Sequence, residues 1–363
     1  MASRARDIIF LLGAGASAEA GIPVSAEMIH HLEELLRTKD DWKRLSPVYN
    51  HVKSAIHFSA GIKGKYRDEV AFNIETLLIT LVELERNEEH PLYPFIASWN
   101  SRFVALAGPG FKKVRDLRRR LLAVLKRWMC PDDSSRADYY KGFVTLQRDL
   151  NYPIHVFSLN YDLNVERLAQ VEFRVETGFE GYGPGHPWDF ERFLDMEASN
   201  NLPAELVLYK LHGSINWKRD QTNKNLYAVE QVETVDDDSM EVIFGRDLKL
   251  EAADPYLFYA YEFRAFALAA RLVVILGYGF GDPHINKMLT QCMRSDPARK
   301  LLVIQPDQEE DEMRRFVAEQ LELEDDQADR VFVQCKTAKE FLSGSNLAAR
   351  LVELLPADSD APF

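Results

Sequence analysis

Near one end of the chain, Asp7-Ile8-Ile9-Phe10-Leu11-Leu12 runs straight into Gly13-Ala14-Gly15-Ala16-Ser17-Ala18 and closes on Gly21-Ile22-Pro23. A short unbroken apolar run rich in branched side chains suits a strand covered on both faces, as in parallel sheets flanked by helices. Gly13 and Gly15 then permit a tight turn and a close approach of the backbone to a ligand, while Ala18 is small enough to pack a helix on the strand. The pattern reads as strand, glycine turn and helix start, a place where backbone amides favour a pyrophosphate. An ordinary tight strand-to-helix turn accounts for the same residues. The acid that usually holds a dinucleotide ribose, about twenty residues on at the end of a second strand, is missing, because Glu33 and Glu34 lie in a helical pattern. That disfavours an ordinary nicotinamide dehydrogenase.

Strand character returns at Ile154–Leu159, Leu206–Leu211, Leu272–Leu276, Leu301–Ile304 and Val331–Val333. Helical patterns separate most of these, near Leu163–Gln170, Pro255–Ala270, Pro283–Met293, Glu309–Leu321 and Ala338–Leu355. This alternation predicts an α/β fold, a Rossmann-like doubly wound parallel sheet whose ligands sit outside the carboxyl ends of the strands. Other helical patterns cover Ala26–Arg37, Trp42–Phe58, Asp68–Arg86, Lys112–Arg127 and Asp138–Leu150, with Pro91, Pro94 and Gly108-Pro109-Gly110 as breaks. The expected organisation is a discontinuous sheet domain over residues 1–39 and 138–355, a large helical insertion or subdomain over 40–137, and a frayed tail over 356–363. Gly178–Pro187, rich in glycine, proline and aromatics, could flank a pocket, and polar Lys218–Met240 reads as a solvated hairpin or mobile loop.

At 363 residues the chain can bury a large core, with about two domains, or one with an insertion, as the starting expectation. No apolar run is long enough to span a bilayer, and no signal-peptide pattern is present, so a cytoplasmic protein without membrane attachment is expected. Cys130, Cys292 and Cys335 show no C-x-x-C spacing. They are expected to be buried thiols rather than zinc ligands or disulfides. The net charge of -13 argues against strong intrinsic nucleic-acid binding. Locally, however, Lys112–Arg127 sets eight cations against Asp116 alone, with Val114, Leu117, Leu121, Val124 and Leu125 at helical spacing. An amphipathic helix results, whose basic face is either solvated and salt-bridged or a docking surface for an acidic partner or another subunit.

Polar residues accumulate where strands end. Asn160-Tyr161-Asp162 follows the strand at Ile154, His212-Gly213-Ser214 the one at Leu206, and Gly277-Tyr278-Gly279-Phe280-Gly281-Asp282 the one at Leu272. In a parallel sheet all of them converge on the edge that carries the Gly13 turn. Taken singly, Asn160 could cap a helix beginning at Asp162, His212 could be structural, and His284 is ambiguous beside the helix-start pair Asp282-Pro283. His30, His31, His155 and His186 read as surface or packing residues.

Together these stretches, with Gly13–Ser17, Gly21-Ile22-Pro23, Lys210-Leu211 ahead of His212, and His284, Ile285 and Asn286 after Asp282, resemble the sirtuin family. The resemblance is nearer to its prokaryotic sirtuin-like branch associated with antiphage defence, and it spans about residues 7 to 290 without help from the helical insertion. It implies a site that binds NAD as a substrate and breaks the bond between nicotinamide and ribose. Carried over by position, Gly13, Ala14, Gly15 and Ser17, closed by Gly21, would hold the pyrophosphate. Asn160 and Asp162 would sit by the nicotinamide ribose and carboxamide. His212, followed by Gly213 and Ser214, would engage the ribose hydroxyls, and Gly277, Tyr278 and Gly279, with Asp282 and Asn286 beyond, would shape the adenosine side. Asn160 would position a water, with His212 orienting the ribose and serving as base if it titrates near neutrality.

Two departures from the protein-deacylating sirtuins shift the expected acceptor from acyl-lysine towards water. Val24-Ser25-Ala26 stands where those enzymes carry Asp-Phe-Arg, and the two C-x-x-C pairs that bind their structural zinc are missing, so no zinc is expected. Leu159, where a deacylase would usually have glutamine, points the same way. The leading expectation is an NAD glycohydrolase that depletes NAD as an antiphage-defence effector. The alternatives are an NAD-dependent deacylase and a noncatalytic NAD or ADP-ribose-binding assembly module. The resemblance further implies a homo-oligomer and a HerA-type DNA-translocating ATPase as a partner.

Overall fold

The computed structural model describes the chain except for residues 1–5, 67–69, 71, 90–99, 172, 199–203, 221, 223, 238–239, 241–253, 307–308 and 357–363. The breaks expected at Pro91 and Pro94, the start of the helix expected from Asp68, parts of the Lys218–Met240 stretch, and nearly all of the expected tail therefore lie outside the described residues.

Strand β1 (Ile8–Leu12) forms as its composition requires, with every residue buried. It is the middle of a seven-stranded sheet, paired in parallel with β2 (Ile154–Ser158) on one side and β7 (Leu272–Leu276) on the other. Beyond β2 lie β4 (Leu206–Lys210) and the two-residue edge strand β3 (Val175–Glu176); beyond β7 lie β8 (Lys300–Ile304) and β9 (Val331–Gln334). All these pairings are parallel. A separate antiparallel hairpin joins β5 (Trp217–Arg219) to β6 (Leu226–Ala228).

The two faces of β1 feed two cores, as the period of two along a strand demands. Ile9 and Leu11 join an aromatic core with Phe157, Tyr209, Tyr259 and Phe263. Ile8, Phe10 and Leu12 join another with Tyr140, Phe143, Phe341 and Leu351. Helices cover both faces, so the sheet is doubly wound. A switch point arises at β1, where the strand order runs away in both directions and opens a crevice at the carboxyl ends.

Helices α1 (Ser25–Thr38), α2 (Asp40–Lys43), α3 (Ser46–Ile62), α4 (Ile74–Glu89), α5 (Ser101–Ala107) and α6 (Lys112–Trp128) follow β1 with no strand among the described residues. They share a third core built on Leu32, Val48, Leu77, Leu78, Leu117 and Leu121. Val232, Val235 and Met240 join this core, and Trp217 and Leu226 join the aromatic one, so the stretch expected to be solvated is partly buried. Its hairpin is present, but its apolar residues anchor it. The basic face of α6 is tied down by other residues: Arg118 pairs with Glu85 at 2.8 Å, Arg120 pairs with Asp41, and Lys126 Nζ donates to the Val235 carbonyl and lies 3.9 Å from Asp237 Oδ1. For these cations the salt-bridged reading holds.

Several helical patterns break where their sequences dictate. The Trp42–Phe58 pattern divides into α2 and α3, with Pro47 in the first turn of α3 where its missing N–H costs nothing. Asp138–Leu150 divides into a 310 segment, Ser134–Lys141, and helix α7 (Gly142–Leu150). Leu163–Gln170 gives only a 310 turn, Glu166–Val171. Helix α8 (Glu191–Ala198) was not expected from the pattern, and α9 (Tyr256–Ala269), α10 (Pro283–Ser295), α11 (Glu310–Gln320) and the short α12 (Asp325–Ala328) follow. Ala338–Leu355 divides into α13 (Ala338–Leu342) and α14 (Leu347–Leu354), because Ser343-Gly344-Ser345-Asn346 favours a break and Asn346 takes a left-handed φ of 57°. Among the cysteines only Cys292 is fully buried, which pushes its thiol up to about 11; Cys335 is exposed.

Candidate active site

The Gly13 turn differs from the expected helix start. Ala14–Ala20 is a seven-residue 310 helix, ended by Gly21 at φ 92°. The glycines are needed because two backbones touch: Gly13 N–H donates to the Leu276 carbonyl and Gly15 N–H to the Gly277 carbonyl, each at 2.9 Å. A Cβ on Gly13 would lie 2.6 Å from the Gly277 oxygen, and one on Gly277, itself at φ 61°, would lie 2.2 Å from the Ala16 nitrogen. These amides are therefore committed to joining the β1 and β7 ends, so Gly13 and Gly15 support the turn through backbone contact with the Gly277 loop.

The β2 end is locked to that turn through polar bonds. Asn160 Nδ2 donates to the Gly13 carbonyl at 2.9 Å and to Ser17 Oγ at 3.2 Å. Ser17 Oγ in turn donates to Asp162 Oδ2 at 2.7 Å and lies 2.9 Å from the Tyr140 hydroxyl. Burial, reinforced by the Asp162 charge, holds that tyrosine protonated. Both amide protons of Asn160 are thus spent, and its Oδ1 is left as an acceptor with no bond among the described residues. Asn160 caps no helix; its side chain is a strut with one outstanding oxygen. From β4, Lys210 Nζ donates to the Asp162 carbonyl and lies 3.1 Å from Glu166. Burial raises the Glu166 carboxyl above its usual range, with Lys210 pulling it back.

His212 follows β4 by one turn residue, ahead of Gly213 at φ 85°. Its Nε2 lies 3.2 Å from Asp282 Oδ2, and the pair is largely buried. Asp282 is also the N-cap of α10, its Oδ1 accepting from the His284 and Ile285 amides, with Pro283 in the first turn. This is the helix-start reading; His284 itself is exposed. Tyr278 OH donates to Asn286 Oδ1 at 2.8 Å, and Asn286 Nδ2 to the Phe280 carbonyl at 2.8 Å, so the Gly277–Asp282 loop is braced from within.

These strand ends enclose a cavity of about 440 Å³. Gly13, Ala14, Gly15 and Ser17 line it from β1, Asn160 and Asp162 from β2, His212 from β4, and Gly277, Tyr278, Gly279 and Asp282 from β7. Gly21, Gly213, Ser214 and Asn286 do not line it. Gly213 and Gly21 shape turns, Asn286 braces Tyr278, and fully buried Ser214 is directed to the Tyr161 carbonyl at 3.4 Å. The Gly178–Pro187 stretch lies against the β5–β6 hairpin, with Gly183 N–H on the Ala228 carbonyl at 2.8 Å, and lines neither this cavity nor the next.

Residues that sequence reasoning did not single out complete the wall. Gln305, directly after β8, reaches the cavity with a buried Oε1 that has no partner among the described residues. Its position at a strand end was the available signal. Asn73, Ile74 and Glu75 from the start of α4, with Leu125 on α6 and Met129 just past its end, close the opposite side. Nothing in their local sequence marks them. A second cavity of about 440 Å³ lies between α9 and α10, lined in part by Tyr256, Tyr261 and Met288, and His212 and Asp282 form the wall it shares with the first. No group of three or more His, Cys, Asp or Glu that could hold a metal ion occurs among the described residues. No helix among them is long and apolar enough to cross a membrane.

Residues 154–324 match the family model described as SIR2-like domain, and this match supports a sirtuin-like family for the chain. Among solved structures the chain is similar to a Sir2 homologue in complex with NAD, with 12% identity and a TM-score of 0.43 over 95% of this chain and 89% of that one. It is also similar to a mutant Sir2 homologue in complex with ADP-ribose, with 15% identity and a TM-score of 0.42 over 95% and 92%. No curated protein matches the chain.

Proposed function

We propose that the chain is an NAD glycohydrolase, cleaving NAD to nicotinamide and ADP-ribose. The observation that carries this reading is the placement of Asn160 and His212, from the ends of neighbouring strands, on one cavity with the Asp282 carboxylate against the imidazole. The SIR2-like match over residues 154–324 includes all three residues.

Cleavage of the nicotinamide–ribose bond sends the bonding electrons out with nicotinamide and builds positive charge on the sugar. A preorganised site gains most by facing that charge with fixed acceptors. Asn160 is held by both its amide protons, so Oδ1 can orient a water without reorganising. A proton on His212 Nε2 shared with Asp282 makes Nδ1 the basic nitrogen. That nitrogen engages the ribose or takes the proton released as water adds to the sugar carbon. Gln305 Oε1, which has no partner among the described residues, offers an acceptor to a hydroxyl or amino group on the far side of the substrate.

The test is NAD consumption by the purified chain, with nicotinamide and ADP-ribose quantified beside an Asn160→Ala control. Turnover in the wild type that vanishes in the control is the expected result; retained turnover in the control overturns the assignment. A second reading, transfer to an acyl-lysine acceptor, draws support from the second cavity, which reaches the same His212–Asp282 wall. Nicotinamide release that requires an acyl-lysine peptide would favour it. The finer proposals, an antiphage-defence role, a homo-oligomer and a HerA-type ATPase partner, rest on the motif resemblance and are tested by running the assay across protein concentrations and with the partner added.

A further inference from the structure

We infer that Glu75, supplied by helix α4, is a third carboxylate of the active cavity, which stabilises the positive charge on the sugar and so makes the helical unit part of the catalytic wall. This inference rests on the glycohydrolase reading above and adds a residue to it.

Three carboxylates line the cavity: Asp162, Asp282 and Glu75. The first two are already engaged at both oxygens. Asp162 takes the Ser17 hydroxyl on Oδ2 and the Asn164 amide on Oδ1, while Asp282 takes two helix amides on Oδ1 and faces His212 with Oδ2. Glu75 receives one bond, from the Tyr161 hydroxyl to Oε1 at 2.9 Å. Its Oε2 has no bond among the described residues and is the carboxylate oxygen left over for substrate.

Its position is also fixed. Asn73 Oδ1 accepts from the Thr76 amide at 2.8 Å, which holds the first turn of α4, and Ile74 is anchored in the helical core. Tyr161 stands in sequence between Asn160 and Asp162, and its ring lies 6.3 Å from that of His212. Burial foremost, then the Glu75 charge, keeps the Tyr161 hydroxyl protonated and therefore a donor to Glu75. One hydrogen bond thus fixes the carboxylate of a distant helix on the cavity that Asn160 and His212 also line. Glu75 forms no covalent bond in this scheme; it acts by charge alone.

The experiment measures steady-state nicotinamide release by the full chain for the wild type, Glu75→Gln, Glu75→Asp and Asn160→Ala, with ADP-ribose binding as the control for an intact cavity. Glu75→Gln keeps the shape and removes the charge. The expected result is a fall in kcat on the order of 10²-fold with KM within a few-fold, ADP-ribose still bound, and partial recovery in Glu75→Asp. A Glu75→Gln kcat within about threefold of wild type while Asn160→Ala is inactive overturns the inference alone, as does a loss confined to KM. No nicotinamide release from the wild type overturns the glycohydrolase reading and the inference with it.

Discussion

The two sides of the cavity are built on different physics. On the sheet side, the ends of β1, β2, β4 and β7 are pinned by backbone contact between Gly13, Gly15 and Gly277 and by the bonds radiating from Asn160, Ser17 and Asp162. On the helical side, Ile74, Leu125 and Met129 sit on an apolar core, and the Tyr161–Glu75 hydrogen bond ties that wall to the β2 end. A wall made of directional bonds and touching backbones tolerates little displacement, whereas apolar packing is non-directional and yields more readily. Asn160, His212 and Asp282 accordingly sit on the first wall, and Glu75 on the second is held to it through the directional bond from Tyr161.

Substitutions at four strengths can break or sharpen this contrast. The largest effect is expected on catalysis at the sheet wall, where Asn160→Ala should lower NAD turnover by on the order of 10²- to 10³-fold with an unchanged far-ultraviolet spectrum. Next, Gly277→Ala forces a Cβ onto the Ala16 backbone and should cost about 3 kcal/mol or more of stability, read by chemical denaturation. In the helical core, Leu121→Ala removes a side chain with no exposed surface and should cost about 2–5 kcal/mol. If the walls differ as described, ADP-ribose binding should weaken less in the folded Leu121→Ala protein than in folded Gly277→Ala. The smallest effect is expected at the partly exposed Arg120–Asp41 pair, where Arg120→Ala should change stability by less than about 1 kcal/mol and leave turnover intact.

Acid offers a separate probe of the sheet side. His155 on β2 is buried with its ring 4.2 Å from that of Phe266, and burial, helped by Arg6, lowers its pKa from 6.5 to about 3. Below pH 6.5 the unfolded chain takes up a proton that the folded chain refuses until about pH 3, so stability falls as pH falls through that window. The slope contributed by this histidine approaches about 1.4 kcal/mol per pH unit. His155→Leu should flatten the stability profile between pH 6 and 4 in urea titrations, where roughly that slope is otherwise expected.

The legible part of the site was the part written in strand ends. The order of β1, β2, β4 and β7 and the polar residues after each could be read because a parallel sheet brings all its carboxyl ends to one edge. Asn160, Asp162, His212 and Asp282 meet there. Gly21, Gly213, Ser214 and Asn286 were also read from those motifs, but the structure uses them to shape or brace the loops. A motif marks a neighbourhood, while burial and side-chain direction separate lining from support.

The sequence by itself determined the sheet, since runs such as Ile8–Leu12 and Leu272–Leu276 have no stable place except between two covered faces. It also determined the amphipathic helix at Lys112–Trp128, whose apolar period leaves one face to bury. Only the tertiary structure decided that the first turn would be a 310 helix, because the Gly13 and Gly15 amides are taken by the β7 end, far away in the chain. It alone decided that Glu75 would face Tyr161 across 86 residues of sequence. Local patterns report what a segment buries; they carry no record of which distant segment comes to lie against it, because that choice is made by packing whole faces together.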